Sequence, residues 1–315
     1  MFLSCGDALF DLFAEPGADI GAIGLAGRIG GSPLNVALGL ARLGHPVGYF
    51  TKISQDLFGT RIRAFMEREA IDRSLLIPTQ RNTTLAVVSL GPDGSPAYAF
   101  YIEGTADRSI APEEVPAELP ETIRAIHLAS YSTVTEPTAS ALARLARQEH
   151  ERRFVSYDPN VRAAIEPDLA VWRAKVAELV PLAALVKASE EDLGLLYPDR
   201  SLDAVLDDWV AAGAGMAVLT LGERGAVART SAGVSASAEG RSVAVVDTVG
   251  AGDTFQAALL ARLAETGALS RNALHEMDRE GVTALLGFAV EAAAITCARR
   301  GADLPRRADL GLPPL

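Results

Sequence analysis

The stretch Asp247–Phe255, DTVGAGDTF, sets a run of small residues immediately before an aspartate. The segment that follows, DTFQAALLARLAE, carries the period of an amphipathic helix, so Ala251, Gly252 and Asp253 fall at a helix N-terminus. Four backbone N–H groups there lack intrahelical partners, and the macrodipole adds roughly half a positive charge. Such a terminus receives a phosphate well. The preceding VAVV reads as an apolar strand running into the turn. Asp253 has two readings. As a favoured N-cap residue it only closes the helix. As a general base it takes the proton from a hydroxyl that attacks a phosphorus held by the amides. A plain phosphate cradle would gain nothing from a carboxylate beside its anion.

A second glycine-rich stretch, GRIGGSPLNVALGLARLG, opens a long helix over Asn35–Leu43. Gly30 and Gly31 permit close backbone approach to a ligand, and Asn35 offers a donor and an acceptor from the first turn, a pairing suited to sugar hydroxyls. Its spacing is not the dinucleotide fingerprint, and a loop with a helix cap is the simpler alternative. Near the start, MFLSC reads as a first strand, because it lacks the basic and long apolar regions of a leader. CGDALFDLF then carries Asp7 and Asp11 at the strand's end, where a carboxylate can accept two sugar hydroxyls or simply be solvated.

Short apolar runs, PVGYFTKI, AIHLAS, RFVSYD, ALVKAS and MAVLTLG, alternate with helical segments such as Glu136–His150. This alternation predicts a doubly wound, mainly parallel sheet with helices on both faces and ligands at the strands' carboxyl ends. TLAVVSL and AYAFYIE break the rhythm as two strands joined by GPDGSP, a hairpin turn by composition. Residues 83–105, together with 12–27, are expected to form a small β lid inserted in a single domain spanning residues 1–315. An ordinary extension of the main sheet is the alternative.

The bulk composition excludes several classes. Hydrophobic residues make up 49% and charged residues 22% of 315, which suits a globular chain. A formal charge of −11 gives no basic field for nucleic acid. The apolar runs noted, such as LVPLAALV, fall short of the roughly 20 residues a membrane span needs, so no membrane partner is expected. Two cysteines and four histidines show no zinc spacing, and a reducing cytoplasm is the expected location. No P-loop exists, because none of Lys52, Lys175 and Lys187 follows a glycine.

GGSPLNVA and DTVGAGDTF resemble the two signatures of the PfkB (ribokinase-like) carbohydrate kinase family, in order and at the expected separation. YDPNVR, VKASEEDL, TLGERGA and ITCARRGADLP resemble the motifs between and after them, so the likeness covers nearly the whole chain. The serine and proline of GGSPLNVA and the RRGADLP close resemble bacterial fructokinases within that family. Two stretches depart from the pattern. Ser189 and Asp192 stand where many relatives carry Asn and Glu for magnesium, and Ser54 and Gln55 replace a glycine and an acid.

The resemblance implies a ribokinase-like fold and an ATP-dependent sugar kinase using Mg²⁺, with D-fructose phosphorylated at O6. Asp253 would be the base, the amides of Gly250, Ala251 and Gly252 the anion hole, and Arg162 a charge near the phosphoryl group or sugar. Asp11, Gly31, Asn35 and Tyr101 would hold the sugar. Lys187, Thr220, Gly222, Gly225 and Cys297 would approach the nucleotide, and carbonyls at Asp247 and Val249 would ligate potassium. A homodimer through the lid is also open at this stage. A 2-keto-3-deoxygluconate kinase, needing an arginine such as Arg81, Arg108 or Arg162 for the carboxylate, stays open too, as do ribokinase and a catalytically silent sugar sensor.

Overall fold

The computed structural model describes residues 1–15, 20–90 and 96–315. The chain enters on β1 (Phe2–Cys5), leaves the main sheet for β2 (Leu9–Ala14) and β3 (Leu25–Gly30), and returns through α1 (Ser32–Arg42) to β4 (Val47–Ser54). Then come α2 (Leu57–Arg68), β5 (Leu76–Thr79) and the antiparallel pair β6 (Leu85–Leu90) and β7 (Pro96–Tyr101). Strands and helices alternate next: β8 (Ala125–Ala129), α3 (Thr138–Glu149), β9 (Phe154–Asp158), α4 (Leu169–Leu179) and β10 (Leu185–Ser189). After α5 (Glu190–Leu196), α6 (Leu202–Ala211) and β11 (Met216–Thr220), the strands β12 (Ala226–Thr230) and β13 (Ser235–Ala238) close the sheet. The closing helices are α7 (Ala251–Glu265), α8 (Arg271–Glu276) and α9 (Arg279–Cys297).

The main sheet runs β13-β12-β11-β10-β9-β8-β1-β4-β5, parallel except for the antiparallel β11-β12-β13 edge. The order reverses between β1 and β8, and a crevice opens at the carboxyl ends of strands that diverge this way. Alternating side chains feed two separate cores. Met216 and Val218 of β11 belong to the core that also takes in α1, α7 and α9, whereas Ala217 and Leu219 belong to the core that takes in α3, α4 and α6. Each fully buried aliphatic side chain contributes about 1.5–3 kcal/mol, so near-continuous apolar strands are stable only when covered on both faces. The chain therefore has the doubly wound ribokinase-like fold expected of it.

A second sheet, β3-β2-β6-β7, is built from the segments that interrupt the alternation and begins at Leu9. Phe10 on one face of β2 meets Phe58 of α2, with ring centroids 4.9 Å apart. Asp11 and Phe13 point to the other face by the two-residue period. The turn expected within GPDGSP falls largely on residues 91–95, outside the described residues.

Three expectations need correction. VAVV, residues 243–246, forms no strand. Val245 and Val246 are 64% and 60% exposed, and the amides of Val246 and Asp247 donate to the carbonyl of Cys297. An apolar run becomes a strand only where a neighbouring strand accepts its ladder. The first long helix starts at Ser32, three residues earlier than expected, because Pro33 suits a helix's first turn. Finally, α9, at 19 residues with mean hydropathy 1.4, is long and apolar enough to span a membrane. Val282, Leu285, Leu286, Ala289 and Ala292 are buried, and the helix packs on α7 and the β12-β13 edge as a core helix.

Candidate active site

The N-terminus of α7 forms the centre of the site. Gly250 precedes it with φ 79° and ψ 1°, a left-handed conformation that glycine adopts without penalty. A side chain there would also stand 2.8 Å from Cβ of Ala302. Asp253, in the first turn, is 7% exposed and is held from α1 on both oxygens. The Ser32 hydroxyl donates to Oδ1 at 2.6 Å, and the Asn35 amide donates to Oδ2 at 2.8 Å. The two helices lie side by side because Gly39 faces Ala257: a Cβ on Gly39 would be 2.6 Å from that of Ala257. Each is four residues beyond a site residue, so the close contact one turn on sets the Asn35 to Asp253 separation.

A cleft of about 430 Å³ opens beside this terminus, lined by Arg162, Lys187, Thr220, Gly222, Thr248 and Gly252 among others. Lys187 is the middle residue of β10 and is buried, its Nζ 2.8 Å from Oδ2 of Asp158, which ends β9. Burial alone would lower the lysine pKa, but the Asp158 carboxylate outweighs it and the net shift is upward. Asp158 is pushed up to about 6, mainly by burial and against the pull of Lys187, so both groups are charged at neutral pH. A Cβ on Gly252 would lie 3.1 Å from Lys187 Nζ, which puts this cation directly under the small-residue turn. Asn160 also lines the cleft, with φ 43° and a buried Oδ1 that has no hydrogen-bond partner.

On the other side of Asp253 lies the second sheet. Asp11 is largely buried, and its carboxylate occupies the space where a side chain on Gly30 would sit, 2.3 Å from a Cβ there. Burial raises its pKa to about 6, and the positive field of Arg162 opposes the rise. Arg162 itself is exposed and donates to the carbonyl of Val161 at 2.9 Å. Its field also reaches Asp7, which burial and the neighbouring Asp107 push up to about 8. Gly31 caps α1 with φ 115° and would place a Cβ 2.5 Å from the carbonyl of Asp7. Arg162 thus links the two groups: it lines the cleft with Lys187, Thr220 and Gly222, and its field reaches Asp11 and Asp7.

The remaining expected residues lie further out. Tyr101 is 64% exposed at the end of β7. Gly225 packs its backbone against the Ala238 carbonyl and shapes the turn into β12 rather than lining the cleft. Cys297 is half-buried at the end of α9 and contributes its carbonyl to the 246–247 backbone. The Asp247 carboxylate accepts from the amides of Val249 at 3.1 Å and Gly301 at 2.9 Å, tying the turn to the C-terminal segment. Among the described residues no cluster of three His, Cys, Asp or Glu side chains could hold a metal. Asp192 accepts three hydrogen bonds, from the amides of Val161 and Ser189 and the Ser189 hydroxyl.

The chain matches the pfkB family of carbohydrate kinases over residues 22–309. It belongs to that family. It is 33% identical to the fructokinase of Rhizobium leguminosarum bv. trifolii over 90% of this chain and 85% of the relative. Against the fructokinase of Escherichia coli the identity is 30%, covering 97% and 96% of the two chains. The structure of Vibrio cholerae O395 fructokinase with fructose, ADP and calcium bound superposes with a TM-score of 0.81 at 27% identity, covering 98% and 97%. A pfkB carbohydrate kinase is a phosphotransferase acting on a sugar hydroxyl. Sequence reasoning passed over three polar groups at this kinase's site. Asp158 and Asn160 belong to YDPNVR, where attention went to the arginine. Ser32 belongs to GGSPLNVA, where it counted only as a likeness, although its position at the helix start was the available signal.

Proposed function

We propose that the protein transfers the γ-phosphoryl group of ATP to O6 of D-fructose. The observation that carries this reading is the placement of Asp253. It sits in the first turn of α7, held on both oxygens by Ser32 and Asn35 of α1, and directly follows Gly252, which lines the cleft with Lys187, Thr220 and Arg162. Asp253 takes the O6 proton as the oxygen forms its bond to the γ-phosphorus. The bond from that phosphorus to the bridging oxygen breaks, and ADP leaves with the electron pair. The amides of Gly250 and Gly252 face the developing negative charge, with Lys187 beneath them and Arg162 alongside; the Ala251 amide, expected to join them, donates instead to the Thr248 carbonyl at 3.2 Å and closes the turn. The names of the most similar relatives, and fructose with ADP in the V. cholerae enzyme, support the acceptor.

Mg²⁺ would screen the nucleotide phosphates. Glu191 lines the cleft without an ion pair among the described residues and is the side chain suited to face it, because Glu190 pairs with Arg224. Potassium would sit against the carbonyls of Asp247 and Val249, a reading supported by a V. cholerae fructokinase structure bound to potassium. The free thiols of Cys5 and Cys297 support a reducing cytoplasmic location. A sugar acid is the less favoured acceptor: Arg108 is paired with Glu103 and Arg81 with the Gly104 carbonyl, which leaves Arg162 for a carboxylate.

ADP production with Mg-ATP and potassium, measured on fructose, 2-keto-3-deoxygluconate, ribose, glucose, adenosine and a no-sugar blank, tests this. Fructose is expected to dominate, and Asp253→Asn to lower kcat by roughly 10²- to 10⁴-fold. Dominance of the keto acid would overturn the acceptor, and silence on every sugar would overturn the activity.

A further inference from the structure

We propose that Ser32 is a positioning residue for the proton transfer, holding the Asp253 carboxylate in one orientation. This rests on the kinase reading above and extends it to a residue that touches the base rather than the sugar. Ser32 and Asp253 lie 221 positions apart, yet their side chains meet at 2.6 Å in a site where they are 7% and 7% exposed. Asn35 takes the other oxygen at 2.8 Å, so both oxygens of the base are bound to donors from one turn of α1. A carboxylate held at both ends cannot rotate about its terminal torsion, and each oxygen keeps one lone pair for another donor. The attacking hydroxyl must use one of those lone pairs, so its direction of approach is set before it arrives.

The support of Ser32 is itself rigid. Pro33 follows it with a locked φ, and the Pro33 carbonyl accepts the buried Ser4 hydroxyl of β1 at 2.7 Å. The two donors divide the work. Asn35 has an amide for the base and a carbonyl oxygen suited to a sugar hydroxyl, whereas the Ser32 hydroxyl is spent on the base. Hydrogen bonds donated to a carboxylate favour its charged form. The other ionisable groups that act on Asp253 are Lys187 of β10, Asp158 of β9 and the buried hydroxyl of Tyr49 on β4. Removing the Ser32 hydroxyl leaves all of these in place, so it isolates one bond.

The experiment compares wild type, Ser32→Ala and Ser32→Thr in kcat, fructose KM and pH profile. It adds a ¹³C-carboxyl NMR titration of the sugar-free proteins, with the Asp253 signal assigned through Asp253→Asn. Ser32→Ala is expected to lower kcat about 10- to 100-fold, the order a small misplacement of a reacting group costs, with fructose KM changed less than about 3-fold. The Asp253 carboxyl signal and the acid limb of kcat should both differ from wild type. Ser32→Thr, which keeps the hydroxyl, should retain the wild-type Asp253 titration. Unchanged titration and unchanged kcat in Ser32→Ala would overturn the proposal, as would a loss confined to KM. The NMR arm needs no turnover, so an inactive wild type would sink the kinase reading and leave the Ser32 result interpretable.

Discussion

Asp11 shows how burial sets the working range of a single residue. With its carboxyl pushed up to about 6, in the sugar-binding role proposed for it, it would accept hydroxyls as a carboxylate above that pH and lose an acceptor as pH falls through it. Fructose KM is therefore expected to rise on acidification between about pH 7 and pH 5, several-fold, while Asp11→Asn should show a higher KM with that slope removed. A KM independent of pH in the wild type would contradict the contact. The Lys187 and Asp158 pair behaves differently, because each buried charge is compensated by the other at 2.8 Å. At this scale Asp253 was legible, since helix period and small residues are local signals. Its bond to Ser32 was not, because nothing within either motif records a partner 221 positions away.

At the level of elements, α1 and α7 act as one unit. Gly39 lets them touch at Ala257, and Leu304 of the C-terminal segment closes the same spot, 2.8 Å from a Cβ on Gly39. Arg42, at the end of α1, holds that segment through the Asp303 carboxylate at 2.8 Å and the Leu304 carbonyl at 2.7 Å. Gly39→Ala is expected to push the helices apart and stretch the Ser32 and Asn35 bonds to Asp253. Overpacking of this kind costs about 1–3 kcal/mol, and displacing the base by up to an ångström costs roughly 10²-fold in rate. Denaturant unfolding and kcat together check it; wild-type values in both would show that the helix spacing is not what positions the base. Helix α1 itself was readable from its apolar period and Pro33. The strand expected over VAVV failed, since an apolar run cannot announce that no neighbour accepts its ladder.

For the whole molecule, we propose that the second sheet is where two copies associate. Its outer strands β3 and β7 carry open edges, and Phe13, Leu25 and Tyr101 are 38%, 44% and 64% exposed on it. Open strand edges with apolar side chains pair readily. Light scattering is expected to give about twice the 33.0 kDa chain mass, and Phe13→Glu to shift the protein toward monomer. A monomeric wild type would remove the lid from the account of assembly.

The amino-acid sequence by itself determined the alternating fold, the small-residue turn before Asp253 and the family, because each rests on short local patterns and on their order along the chain. Only the tertiary structure decided which acids meet which donors, that Lys187 lies under Gly252, and that Asp192 is tied to the Val161 backbone. Those facts depend on how α1, α7 and the strand ends are brought together. Packing between elements distant in the chain leaves no periodic trace in either of them.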